Sequence, residues 1–239
     1  TSTNGRDGSM TSNEDPLQVG LIALFVTALV VAQVTASKLL AFSLPVSLPV
    51  VGAQLVMPGS AVAYALTFFA SDSYTELYGR RAATIVVNIG FAMNFVLLGL
   101  VWSTIYAPGL PAAAQPIEPA AFRQVLAAST GIVAASLAAY VISQNWDVFV
   151  FHAIGKFTGG DHLWLRNIGS TASSQLLNTV IFITVAFVVF GNTSLEGALA
   201  LIIGQYLLKL AIALVDTPLV YAVVAFARGR EQAGRPTPW

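Results

Sequence analysis

The stretch LQVGLIALFVTALVVAQVTASKLL, residues 17–40, decides the fold class. About 20 apolar residues suffice to cross the hydrocarbon core of a bilayer. This run exceeds that length and lacks a small-residue cleavage site, so it is expected to stay as a span rather than be removed as a leader. Five more segments qualify: Gly59 to Tyr78, Ala82 to Ile105, about Phe122 to Phe151, about Asn167 to Phe190, and about Leu195 to Phe226. The second is the most polar. Pro218 lies inside the sixth and is expected to kink it. The expected fold is all-α, a polytopic bundle of six transmembrane helices.

Composition points the same way. Of 239 residues, 56% are apolar and only 9% charged, and mean hydropathy is +0.76. A soluble domain carries about 25% charged residues to wet its surface. The balance excludes a soluble enzyme, a disordered chain and a nucleic-acid binder that relies on a basic face. Net charge is zero, with 11 basic and 11 acidic residues. The absence of cysteine excludes disulfides, thiol catalysis and thiolate metal sites. His152 and His162 follow the fourth span without an HExxH pattern, and no nucleophile elbow or Ser–His pair occurs. No metal, no cofactor and no catalytic activity are therefore expected.

The chain divides simply. Residues 1–16 read as a disordered polar tail, within which Gly8-Ser9-Met10 resembles a cloning remnant. Residues 17–228 form one membrane domain with no soluble insertion, and residues 229–239 form a tail. Between the first two spans, residues 43–58 hold Pro45, Pro49 and Pro58 and no charge. They read equally as a short hairpin or as a segment dipping into the membrane. Residues 108–119 read as an exposed loop. Arg80, Arg81, Lys156, Arg166, Arg228, Arg230 and Arg235 fall on the side of the termini, and only Arg123 lies opposite. The positive-inside rule then puts both termini in the cytoplasm and the protein, multi-pass, in the cell's inner (plasma) membrane.

The informative residues are polar ones at membrane depth. Each ionisable group there costs at least ~2.5–3.5 kcal/mol on insertion scales, so it usually faces protein or an aqueous cavity. Asp72 and Glu76 are spaced i, i+4, on one helix face. Glu76 also reads as a boundary residue paired with Arg80 or Arg81. Ser143-Gln144-Asn145-Trp146-Asp147 ends the fourth span and resembles either the lining of a pocket for a planar polar ligand or a helix end at the interface. The fifth span opens with Trp164-Leu165-Arg166-Asn167 and carries Gln175 and Asn178, again at i, i+3. In the sixth, Lys209 is expected to face the bundle interior and balance Asp72 or Asp147. Asp216, two turns away, cannot reach it along the same helix.

Together these residues resemble the queuosine-precursor transporters, also called the vitamin-uptake-transporter (VUT) family of integral membrane proteins. The resemblance rests on Ser37-Lys38, then Thr67-Phe68 with Asp72, Glu76 and Tyr78-Gly79. It continues through Ser143-Gln144, Asp147 and Phe151, then Trp164 to Asn167, Ser170-Thr171, Gln175 and Phe182, and ends with Lys209 and Pro218. The chain departs at Ser37, where the family usually has Asn, and at Asn178, where it often has Asp. The resemblance implies uptake of a 7-deazaguanine, such as 7-cyano-7-deazaguanine or its aminomethyl relative, precursors of queuosine or archaeosine. Asp72, Glu76 or Asp147 would accept the paired N–H donors of a guanine-like edge. Gln144, Asn145, Gln175 and Asn178 would meet its carbonyl and ring N–H. Trp146, Phe68 or Phe69 would stack on the ring, with Arg166 and Lys209 completing the site. The expected partners are a small-molecule substrate and the lipid bilayer, with no nucleic acid. A homodimer is compatible with this reading.

One competing reading is a substrate-binding subunit of an energy-coupling-factor vitamin importer. Such subunits also have six spans, and Ala28, Ala32 and Ala36 recur at i, i+4, i+8 as a small-residue contact face. That stripe serves either an external partner or packing inside the bundle.

Overall fold

The computed structural model describes residues 15–48, 52–159 and 162–233. Most of the expected N-terminal tail and residues 234–239 of the C-terminal one lie outside that range. Helix α1 (Pro16–Thr35) starts on a side-chain cap: the Leu17 N–H donates to the Asp15 carboxylate at 3.0 Å, with Pro16 in the first turn. Capping of this kind satisfies an otherwise orphaned amide.

The first helix ends five residues earlier than the apolar run suggested. Leu39 and Leu40 belong instead to strand β1 (Leu39–Leu48), which pairs antiparallel with β2 (Gly52–Pro58). The register runs Leu39 to Pro58, Ala41 to Val56 and Ser43 to Gln54, then shifts before Leu48 meets Gly52. Pro45 falls in that irregular stretch, where a residue without an N–H is tolerated. The described part of the inter-span segment is thus two paired strands. The hairpin lies across the last helix, where a Cβ on Gly204 would run into the Val56 carbonyl oxygen. Only glycine permits that approach.

Helix α2 (Ala61–Tyr78) turns directly into α3 (Arg80–Tyr106) through Gly79, whose φ of 86° is the left-handed region. A loop with one short 3₁₀ turn (Ala112–Ala114) leads to α4 (Pro119–Phe157). At 1.5 Å per residue the 39 residues of α4 extend about 58 Å, roughly twice a hydrocarbon core. Helix α5 (Leu163–Ile183) continues into a π-helical turn, Thr184–Val189. Helix α6 (Leu195–Ala233) continues through Pro218 and incorporates residues 229–233 of the expected tail.

Five of the six helices are long and apolar enough to cross a membrane. Large apolar side chains such as Leu100, Leu214 and Phe226 point outward, a surface that suits lipid and not water. This is a helical, multi-pass membrane protein.

Two apolar clusters fill the bundle. One joins Ala135 and Ala139 of α4 to Phe182 and Ile183 of α5 and Leu201 of α6, with Val56 of the hairpin packed against it. The other joins Phe25 and Leu29 of α1 to Ala70 and Tyr74 of α2 and Val86 of α3. Ala28, Ala32 and Ala36 are all buried. The alanine stripe is taken up by packing within the chain.

Candidate functional site

Between the two clusters lies a cavity of about 230 Å3, walled by α1 to α6. Four phenylalanines line it: Phe25, Phe68, Phe91 and Phe182. Tyr140 leans on Phe91, with ring centroids 4.2 Å apart. The polar lining consists of amides, hydroxyls and the ammonium of Lys209, with no carboxylate among the lining residues.

Lys209 organises one wall. Its Nζ donates to Gln175 Oε1 (3.2 Å), Asn178 Oδ1 (3.4 Å) and Thr179 Oγ1 (3.0 Å). An ammonium can only donate, so it turns both amide oxygens toward itself. The amide nitrogens then face elsewhere. Asn178 Nδ2 donates to Ser143 Oγ at 3.2 Å. The expected acidic partner of Lys209, Asp72 or Asp147, is replaced by these three neutral oxygens. Neutral acceptors on α5 reach the ammonium at one helix spacing, whereas Asp72 is exposed and Asp147 is engaged elsewhere.

Elsewhere the lining carries unused hydrogen-bonding capacity. Gln33 is fully buried in α1, and its Oε1 accepts from Ser136 Oγ at 3.3 Å. Among the described residues its Nε2 has no partner, nor does Oε1 of Gln205, which is 5% exposed. Nearly all buried polar atoms in proteins are satisfied. Here one orphaned donor and one orphaned acceptor both belong to residues lining the same cavity.

Of the residues singled out from sequence, Phe68, Gln144, Gln175, Asn178 and Lys209 line this cavity. Gln144 is exposed and marks its mouth. Asp147 accepts from Ser174 Oγ at 3.1 Å, and the Trp146 indole donates to Ser173 Oγ at 3.2 Å, so both tie α4 to α5. Asn145 is exposed and bonds back to the Val141 carbonyl. Asp72 and Glu76 are exposed on α2, Asp72 accepting a long 3.5 Å contact from Ser71. The Arg166 side chain lies outside the described residues, as do those of Trp164 and Asn167.

Sequence reasoning missed Gln33, Tyr64, Ser136 and Tyr140. The signal for Gln33 was present: a lone amide deep in an apolar span costs free energy unless something meets it. Gln205 carries the same signal in α6.

A family model described as "Putative vitamin uptake transporter" matches residues 58–223. That range contains every residue lining the cavity except Phe25, Leu29 and Gln33 of α1. Over 166 residues, 67% of this chain and 69% of the relative, the sequence is 36% identical to a Bacillus subtilis (strain 168) protein described as "Probable queuosine precursor transporter". No solved structure matches.

Proposed function

This chain belongs to the vitamin uptake transporter family, and on that premise we propose that it imports a 7-deazaguanine precursor of queuosine or archaeosine, as the free base. The observation that carries this reading is the cavity itself. It combines flat aromatic walls with an unpartnered donor on Gln33 and an unpartnered acceptor on Gln205. A guanine-like lactam edge offers the complement, a carbonyl beside a ring N–H. At about 230 Å3 the space lies below the ~300–1,000 Å3 of drug-sized clefts and suits a single small heterocycle.

In this reading Phe68 stacks on the base, and Gln175, held by Lys209, directs its amide N–H groups at the ligand. Gln144 and Asn178 contribute at the cavity's mouth and wall. Asp147 and Trp146 keep α5 in line through Ser174 and Ser173, while Asp72, Glu76 and Asn145 belong to the approach. All six helices cross the membrane, with Thr67, Ser73 and Tyr74 of α2 buried against protein. Both termini and the Gly79 turn then share the cytoplasmic side with Arg80 and Arg81. Burial of the Ala28–Ala36 stripe speaks against docking on an ATP-driven partner.

The direct test is calorimetric titration of the purified protein with 7-cyano-7-deazaguanine, 7-aminomethyl-7-deazaguanine, guanine and riboflavin. Saturable binding of a deazaguanine but not riboflavin is expected. Uptake should also occur in a host lacking any energy-coupling module. Riboflavin binding alone, or dependence on such a module, would defeat the proposal.

A further inference from the structure

We infer that Asp216 and Asp72 form a proton-binding pair between α6 and α2, and that its loading and unloading couples import to an inward proton gradient. The inference rests on the import reading above. It adds a second site, outside the substrate cavity, whose ligand is a proton.

The site lies on the two helices that also wall the cavity. Tyr64, Phe68 and Ser71 of α2 and Gln205 and Lys209 of α6 line the cavity. Neighbouring arcs of the same helices line a separate groove of about 560 Å3, with Leu66 and Phe69 from α2 and Leu208 and Ile212 from α6. Every residue of that lining is apolar except Asp216. Asp216 is 7% exposed, and among the described residues its carboxylate has no hydrogen-bond or ion-pair partner. Ionisable groups at membrane depth are costly, and they mark ion or proton paths. Asp72 of α2, the exposed member of the pair, lies near enough for the two charges to repel.

No fixed cation among the described residues offsets the pair. Lys209, two turns from Asp216 on α6, is committed to Gln175, Asn178 and Thr179 of α5. Arg228 is exposed about three turns beyond Asp216. On α2, Glu76 follows Asp72 by one turn and adds negative charge. Helix α1 brings Asp15, which accepts from Tyr78, and α3 brings Arg80 and Arg81, exposed two turns beyond Asp72. Strand β2 and the π-helical turn carry no ionisable residue, and the only one in α5 is Arg166, whose side chain lies outside the described residues. A hard metal cation needs several oxygen ligands, which this groove does not offer, whereas a proton needs one carboxylate.

Coupling follows from the shared helices. Two ionised carboxylates push α2 and α6 apart, and one proton relieves the repulsion. Either change moves a wall of the cavity. Pro218, two residues after Asp216, leaves the Leu214 carbonyl without its helical donor, so α6 can bend beside the pair. In each cycle one O–H bond forms on the pair from the outer water and is given up to the cytoplasmic water.

The test is uptake of labelled 7-cyano-7-deazaguanine by the full-length chain in proteoliposomes, with and without an acid-outside gradient, beside calorimetric titration of the same protein. In the parent the gradient should raise the initial rate severalfold, and a protonophore should remove the increase. Asp216→Asn should bind the base with a Kd within about threefold of the parent's, yet lose the response to the gradient. Asp216→Glu should keep the response. Asp72→Asn should lose it too, so a folding defect in one variant leaves the other to decide. Parental uptake that ignores the gradient, or a response retained by either folded Asn variant, would overturn the proton pair and leave the import reading standing. Loss of binding in Asp216→Asn in step with uptake would make Asp216 part of the substrate site, and would overturn the pair as well. A folded parent that neither binds nor takes up the base would overturn the import reading, and this inference with it.

Discussion

Replacing Gln33 with leucine should make the empty protein more stable and the transporter worse. Gln33 is fully buried, and its Nε2 has no partner among the described residues. A buried donor left unmade costs about 1–3 kcal/mol. Against this, the variant loses the bond from Ser136, which at 3.3 Å is long for a hydroxyl donor and contributes less than a typical bond of about 1 kcal/mol. Leucine is of similar size and removes the orphaned amide. The net change in the empty state is therefore zero to about 2 kcal/mol in favour of the variant. With the ligand bound the sign reverses. The base's carbonyl would lose its donor in a water-poor site, weakening binding by about 1–3 kcal/mol, or roughly 5- to 150-fold in Kd. Thermal unfolding of the detergent-solubilised protein without ligand reads the first effect, and calorimetric titration reads the second. Opposite signs are the diagnostic. If Gln33→Leu lowers stability and leaves Kd unchanged, Gln33 is a packing residue and the argument from its unpartnered nitrogen is refuted.

Gly204→Ala should destabilise the fold by about 1–3 kcal/mol, because the added Cβ meets the Val56 backbone oxygen, which no rotamer change can move; a thermal melt equal to the parent's would show that the hairpin does not sit on α6 as described. Ser174→Ala should cost about 1 kcal/mol of stability by releasing Asp147, with Kd changing by less than about threefold; a larger loss of affinity at unchanged stability would move Asp147 into the substrate site. The chain has no cysteine, so single cysteines report cleanly on orientation. A cysteine at Ala114 should react with an impermeant thiol reagent applied to intact cells, and one at Gly159 should not; the reverse pattern would invert the proposed topology.

The membrane class and the helical architecture are legible in the sequence because they follow from local quantities. Apolar runs such as residues 17–35 or 82–105 must be shielded from water, and a helix satisfies their backbone within the segment. The family resemblance is equally readable, since Trp164, Arg166, Gln175 and Lys209 keep their order and spacing along the chain. What the sequence left open was decided by contacts between distant segments. Leu39 and Leu40 are as apolar as any span residue, yet they pair with Pro58 and Met57 because the partner strand lies 17 or more residues ahead. Lys209 was expected to find an acid, since opposite charges are the cheapest inference at membrane depth. Instead it meets Gln175, Asn178 and Thr179, because α5 and not α2 presents oxygens to that face of α6. Asp147 and Gln144 share a helical face by spacing, but only Gln144 turns into the cavity while Asp147 is captured by Ser174. Helical periodicity assigns a side chain to an arc of the helix. Which neighbour fills that arc, and whether a donor such as Gln33 Nε2 is left waiting, depends on how six helices pack at once, and no segment of the chain encodes that alone.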